Sequence, residues 1–164
     1  MRWKRSKPKS SARSYALWLL GRQAYAAQRL RERLVRRGYS VEEANDAVDY
    51  LIEIKYLDDE VYATSFVAGR SLAGQGPRKL RWELKARGVD AALIDQAIAK
   101  VPEQTLFEQA ERLARRRLRG KELADPRVIS SLCRYLLQRG YDYALVEDVV
   151  RKVRDCLDRE GQSS

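Results

Sequence analysis

Three copies of one pattern, spaced by about fifty residues, decide what this chain can fold into. Leu30, Leu34, Arg37, Gly38 and Tyr39 reappear 50 residues on as Leu80, Leu84, Arg87, Gly88 and Val89, and a further 52 on as Leu132, Leu136, Arg139, Gly140 and Tyr141. Two residues after each glycine stands a helix-capping side chain, Ser40, Asp90 or Asp142. Each cap opens an apolar set at helical spacing: Ala44, Ala47, Val48, Leu51; Ile94, Ala97, Ile98, Val101; and Val146, Val149, Val150, Val153. A repeat of this length with two or more helices per unit is the pattern of a tandem helical array, in which each unit buries part of its surface against the next. The expected fold is therefore all-α, an elongated, curved array of helical repeats.

The middle copy has the clearest grammar. Gly76 takes a cap position, Pro77 the first helical position where its missing N–H costs nothing, and Gly88 the left-handed residue that ends the helix. At about 100° per residue, Leu80 and Leu84 share one face while Arg78, Arg81, Trp82 and Lys85 lie on roughly the opposite one. A tryptophan in such an array is expected to pack against the adjoining repeat, so Trp82 reads as packing before it reads as contact.

The rest of the chain fits around this frame. Residues 1–13 form a polar, basic arm with no helical period, expected to be disordered when free. Repeats are expected over 14–56, 57–101 and 102–160, with a frayed tail at 161–164. Ser14 is expected to cap a first helix that is apolar around most of its girth, with Trp18 in the core. Asp58 or Asp59 caps the first helix of the second repeat, and Asp125-Pro126 restarts the chain inside the third. Capping accounts for the acids Asp58, Asp59 and Glu60, and no second ligand set accompanies them, so a metal site is not expected. Gly69, Gly74 and Gly76 do not make a phosphate loop: Gln75 follows Gly74 where lysine belongs, and no strand precedes.

Charge is unevenly laid out. Of the 33 Lys and Arg, nine fall in residues 1–31, which contain no acid; the remainder carries 24 bases against 23 acids. From Glu42 to Glu60 there are eight acids against Lys55 alone. Five bases, Arg115, Arg116, Arg117, Arg119 and Lys121, close the first helix of the third repeat, where they either complement the helix dipole or meet an anionic partner. Such a bipolar array suits a large, extended ligand. The arm's Arg2, Lys4, Arg5, Lys7, Lys9 and Arg13 suit nucleic-acid phosphates.

Catalytic chemistry is hard to place. The chain has no histidine, which removes the commonest general base and zinc ligand together. Its two cysteines, Cys133 and Cys156, read as small buried hydrophobes in a reducing compartment. No apolar run reaches the roughly 18 residues of a membrane span. A non-enzymatic cytoplasmic protein without cofactor or membrane partner, acting as a monomer, is expected.

Tyr56-Leu57-Asp58-Asp59, Tyr62-Ala63, Gly76-Pro77-Arg78, Leu80, Leu84 and Arg87-Gly88-Val89, together with Arg22-Gln23-Ala24-Tyr25 and Arg37-Gly38-Tyr39, resemble the bacterial RecX family of RecA regulators. The resemblance runs from Ser14 onward and is looser in the third repeat. Lys55 departs from it, since members usually carry glycine before the Tyr-Leu-Asp-Asp run, a change at a helix end expected to alter little. The resemblance implies three tandem three-helix repeats that lodge in the groove of a RecA filament on single-stranded DNA. There the protein would limit ATP hydrolysis, strand exchange and co-protease activity in recombination, DNA repair and the SOS response. Candidate contacts to RecA or DNA are Arg78, Lys79, Arg81, Trp82, Lys85, Arg115, Arg116, Arg117 and Arg119, with the basic arm for DNA. The alternative is a helical nucleic-acid-binding module that acts without a protein target.

Overall fold

A computed structural model describes residues 10–118 and 125–161, with the backbone alone for 157–161. Within these residues it is all-α, with nine helices: α1 (Ala12–Leu20), α2 (Ala27–Arg37), α3 (Val41–Glu53), α4 (Asp59–Leu72), α5 (Pro77–Lys85), α6 (Ala91–Ala99), α7 (Glu103–Leu118), α8 (Pro126–Gln138) and α9 (Tyr143–Gly161). They form two compact units. One holds the chain up to Ser65 together with Leu84–Ile94; the other holds Phe66–Glu83 and the chain from Asp95 on.

The repeated leucine-glycine pattern forms the same turn three times. The residue after the glycine donates its N–H back to the carbonyl of the second leucine: Tyr39 to Leu34 at 3.3 Å, Val89 to Leu84 at 3.2 Å and Tyr141 to Leu136 at 3.3 Å. This six-residue closure requires a left-handed glycine, and φ is 118° at Gly38, 77° at Gly88 and 94° at Gly140. All six leucines, and Tyr39, Val89 and Tyr141 behind the glycines, are buried. Ser40 Oγ then accepts from the Glu43 N–H while Glu43 returns a bond to the Ser40 N–H, a reciprocal cap. Asp90 and Asp142 cap α6 and α9 in the same place, through the N–H groups of Ala92 and Leu145. Of the three apolar sets that follow, the first and third are fully buried, whereas Ile98 and Val101 of the second are half-buried.

In the first unit, α1, α2 and α3 close over Leu30, Leu34, Val48 and Leu51. The N-terminus of α2 is completed from outside its own repeat. Ala26 has no capping side chain, and the Ala27 N–H donates instead to Asp59 Oδ1 at 2.8 Å. The Gln28 stem lies where a Cβ on Gly88 would be, 2.5 Å away. Asp58 Oδ1 meanwhile accepts from Glu60 and Val61 and caps α4, so the two adjacent aspartates cap two different helices.

The second unit repeats the junction with backbone in place of the carboxylate. The Gly76 N–H donates to the Arg139 carbonyl at 2.8 Å and the Arg78 N–H to the Gly140 carbonyl at 3.0 Å, so the start of α5 sits on the turn that ends α8. The core of this unit lies among α7, α8 and α9, around Leu132, Leu136, Val146 and Val149.

Several expectations change. α1 begins at Ala12, capped by Ser11, whose Oγ accepts from the Ser14 N–H at 3.2 Å; Ser14 is the third helical residue rather than the cap. Starting earlier buries Ala12 beside Ala16, and it brings Arg13 into a helix rather than the arm. α1 also fails to bury most of its girth: Leu17 is exposed and Trp18 is 50% exposed, because the core takes only the Ala12, Ala16, Leu19 stripe. α9 reaches Gly161, the first residue of the expected tail. Cys133 and Cys156 are free thiols, half-buried rather than buried. Arg2, Lys4, Arg5, Lys7, Lys9, Arg119 and Lys121 lie outside the described residues.

Candidate functional site

The cationic face of α5 is present but uneven. Arg78, Arg81, Trp82 and Lys85 are exposed, opposite buried Leu80 and Leu84. Trp82 is 70% exposed, which overturns its expected packing against a neighbouring repeat. Arg81 reaches Asp95 Oδ1 at 2.5 Å, so its charge is matched within the protein. Lys79 is half-buried, its stem against the Gly140 turn. Arg78 and Lys85 flank Trp82 without an ion pair among the described residues, which leaves these two and the indole as the open part of the face.

The end of α7 is mostly committed to its own unit. Arg115 binds Glu111 at 2.9 Å, and Lys152 binds the other Glu111 oxygen at 2.9 Å. The hydrogen bond from Lys152, aided by Arg115, holds the Glu111 carboxyl below its ordinary pKa, and the bond that Arg115 donates to Glu111 raises that of Arg115. Arg117 stacks over the Tyr135 ring at 4.5 Å and donates to Ser131 Oγ at 3.3 Å. Only Arg116 of the described trio is exposed without such an engagement among the described residues. Burial pushes the Tyr141 hydroxyl up to about 12, so it is neutral and no acid–base group near pH 7.

Two features of the first unit did not stand out in the sequence. A cleft of about 380 Å³ at the start of α2 is lined by Tyr25, Arg29, Glu32, Arg33, Arg36, Tyr62 and Arg87. The run of arginines around Leu30 was its visible signal, but Tyr62 and Arg87 reach it only through the fold. On α1, Tyr15 and Trp18 stack with ring centroids 5.5 Å apart and planes 17° apart, and the Arg22 guanidinium lies 4.0 Å over the Trp18 ring. The spacing 15, 18, 22 is that of one helical face, whereas the sequence alone placed Trp18 in the core.

Family models describe this chain in three consecutive pieces: the first three-helix domain of RecX over residues 12–51, the second over 58–98 and the third over 103–150. The chain belongs to the RecX family. Among the curated proteins it resembles are the regulatory protein RecX of Vibrio parahaemolyticus, 33% identical over 140 residues that cover 85% of this chain and 90% of that one. Another is the regulatory protein RecX of Mycolicibacterium vanbaalenii, 36% identical over 147 residues, covering 85% and 80%. The crystal structure of RecX from Lactobacillus salivarius shares the fold with a TM-score of 0.77 at 17% identity, covering 87% of this chain and 94% of that one. Lys55, the position at which the resemblance departs, has a φ of 55° and is the one non-glycine residue with positive φ among the described residues. The departure thus falls where a Cβ is strained. No helix among the described residues is long and apolar enough to cross a membrane.

Proposed function

We propose that this RecX-family chain is a non-enzymatic modulator of RecA, chiefly an inhibitor, which binds the RecA filament on single-stranded DNA and limits its ATP hydrolysis, strand exchange and co-protease activity. The observation that carries the reading is family membership along all three repeats, with relatives named regulatory proteins. The absence of histidine from the sequence supports a role in binding rather than catalysis. The open part of α5, Arg78 and Lys85 beside an exposed Trp82, has the composition of an interface anchor: an aromatic residue with cations around it. Placed against acidic protein or DNA phosphate, it gives both apolar contact and charge matching. The test is co-sedimentation with RecA filaments locked on single-stranded DNA by a non-hydrolysable nucleotide. The protein is expected in the pellet with filaments and in the supernatant with RecA lacking DNA; recovery in the supernatant in both cases would refute filament binding.

A further inference from the structure

Packing uses only part of the aromatic face of α1: Tyr15 is half-buried against the core, while Trp18 is 50% exposed. The core stripe of this helix is Ala12, Ala16 and Leu19, and the two largest rings stand beside it, stacked on each other. Trp18 keeps half its surface open even with Arg22 over it. Arg37 lies 5.6 Å over the Tyr15 ring, so guanidinium groups accompany both members of the stack. The Tyr15 ring also lies 6.0 Å from that of Tyr39, whose hydroxyl donates to the Ser10 carbonyl at 2.9 Å. Ser10 therefore sits at the foot of the stack, and the sequence that precedes it carries Arg2, Lys4, Arg5, Lys7 and Lys9 without an acid.

We infer that Tyr15 and Trp18 form a base-stacking platform for single-stranded DNA, with Arg22 and Arg37 as phosphate ligands at its edge. Every base has a π-face, so an aromatic pair accepts bases without reading sequence, and cations alongside follow the backbone. Arg22 is exposed and has no ion pair among the described residues. A base takes its place on the indole, and the released guanidinium, planar and rich in donors, turns to the adjoining phosphate. A duplex, whose bases are already stacked inside, cannot use the platform and meets only the cations. The choice of DNA over RNA rests on the RecA reading; the stacking does not, and its test contains no RecA.

The test uses the full chain and a thymidine oligonucleotide of about 20 residues, long enough to span a platform and its flanking cations. Trp3→Phe with Trp82→Phe leaves Trp18 as the single indole. Its fluorescence is expected to be quenched as the oligonucleotide saturates and to stay unchanged with a duplex of equal length. By anisotropy, Trp18→Ala is expected to weaken single-strand binding at least about 5-fold, with Trp18→Phe within about 2-fold of the parent and duplex binding unchanged in both. Binding without quenching, or equal affinity for the parent and Trp18→Ala, would overturn the platform. A uridine oligomer bound tenfold tighter than the DNA would overturn the choice of polymer. None of these outcomes bears on whether RecA is inhibited.

Discussion

Gly76 and Gly140 meet backbone to backbone: the Gly76 N–H bonds to the carbonyl beside Gly140, the Gly140 carbonyl accepts from Arg78, and a Cβ on Gly76 would overlap the Gly140 carbonyl and the Tyr141 nitrogen. The contact sets the start of α5 on the end of α8. In the first unit Gly88 stands where Gly140 does in the second, and the atoms nearest an added Cβ there belong to the Gln28 side chain rather than to backbone. The second junction is therefore the less forgiving.

Gly76→Ala is expected to destabilise the protein by about 2 kcal/mol or more, since neither backbone can retreat without losing a hydrogen bond. Gly69→Ala is the control: it lies inside α4 with nothing within 4 Å of the added Cβ and is expected to stabilise by about 0.5 kcal/mol or more. Urea unfolding of both variants checks the pair, and equal midpoints would remove the junction from the account.

Lys55→Gly is expected to raise stability by about 0.5–1 kcal/mol, because the left-handed backbone at Lys55 strains a residue with a Cβ by somewhat more than glycine loses in chain entropy. The measurement is thermal unfolding, and a lowered melting temperature would show that the lysine side chain contributes more than the strain.

Glu111 sits between Lys152 and Arg115, and its carboxyl is held below the usual range. A depressed folded-state pKa stabilises above the unfolded-state value and is lost as pH falls through the folded one. The stabilisation should be full above about pH 5 and disappear below the carboxylate range. Glu111→Gln should thus be less stable than the parent at pH 7, with the gap narrowing as pH falls through and below the carboxylate range. A gap independent of pH would mean that packing, not the charge, accounts for the loss.

The repeats could be read from sequence because Leu30, Leu80 and Leu132 share a turn that needs glycine, and local rules suffice for a turn. Ser40, Asp90 and Asp142 are legible for the same reason: a cap reports on its own helix. What failed depends on distance. Ser11 and Ser14 are both competent caps, and the choice is made by burial of Ala12, which sequence spacing does not reveal. Asp59 reads as a cap for its own helix, yet it caps α2, 32 residues upstream. Trp18 and Trp82 look like core because large rings usually are, and only the packed stripes beside them show that neither is needed there. Arg81 was grouped with Arg78 by helical phase, while its pairing with Asp95 on α6 is a tertiary fact.

That pairing separates two substitutions that share a helix face. Arg81→Glu places two carboxylates together and should lower the melting temperature, whereas Arg78→Glu, at an exposed position without an ion pair among the described residues, should shift stability by no more than about 0.5 kcal/mol. Circular dichroism melts of the two variants decide it. An unchanged melt for Arg81→Glu would show its bond to Asp95 to be of no consequence in solution.

The central claim, that this chain restrains RecA, is tested most directly by titrating it into RecA hydrolysing ATP on single-stranded DNA, beside the doubly substituted Arg78→Glu, Lys85→Glu protein. The parent is expected to suppress hydrolysis at stoichiometric or lower ratios to RecA, and the double variant to suppress it far less while melting like the parent. Hydrolysis unaffected by the parent at those ratios would contradict the account.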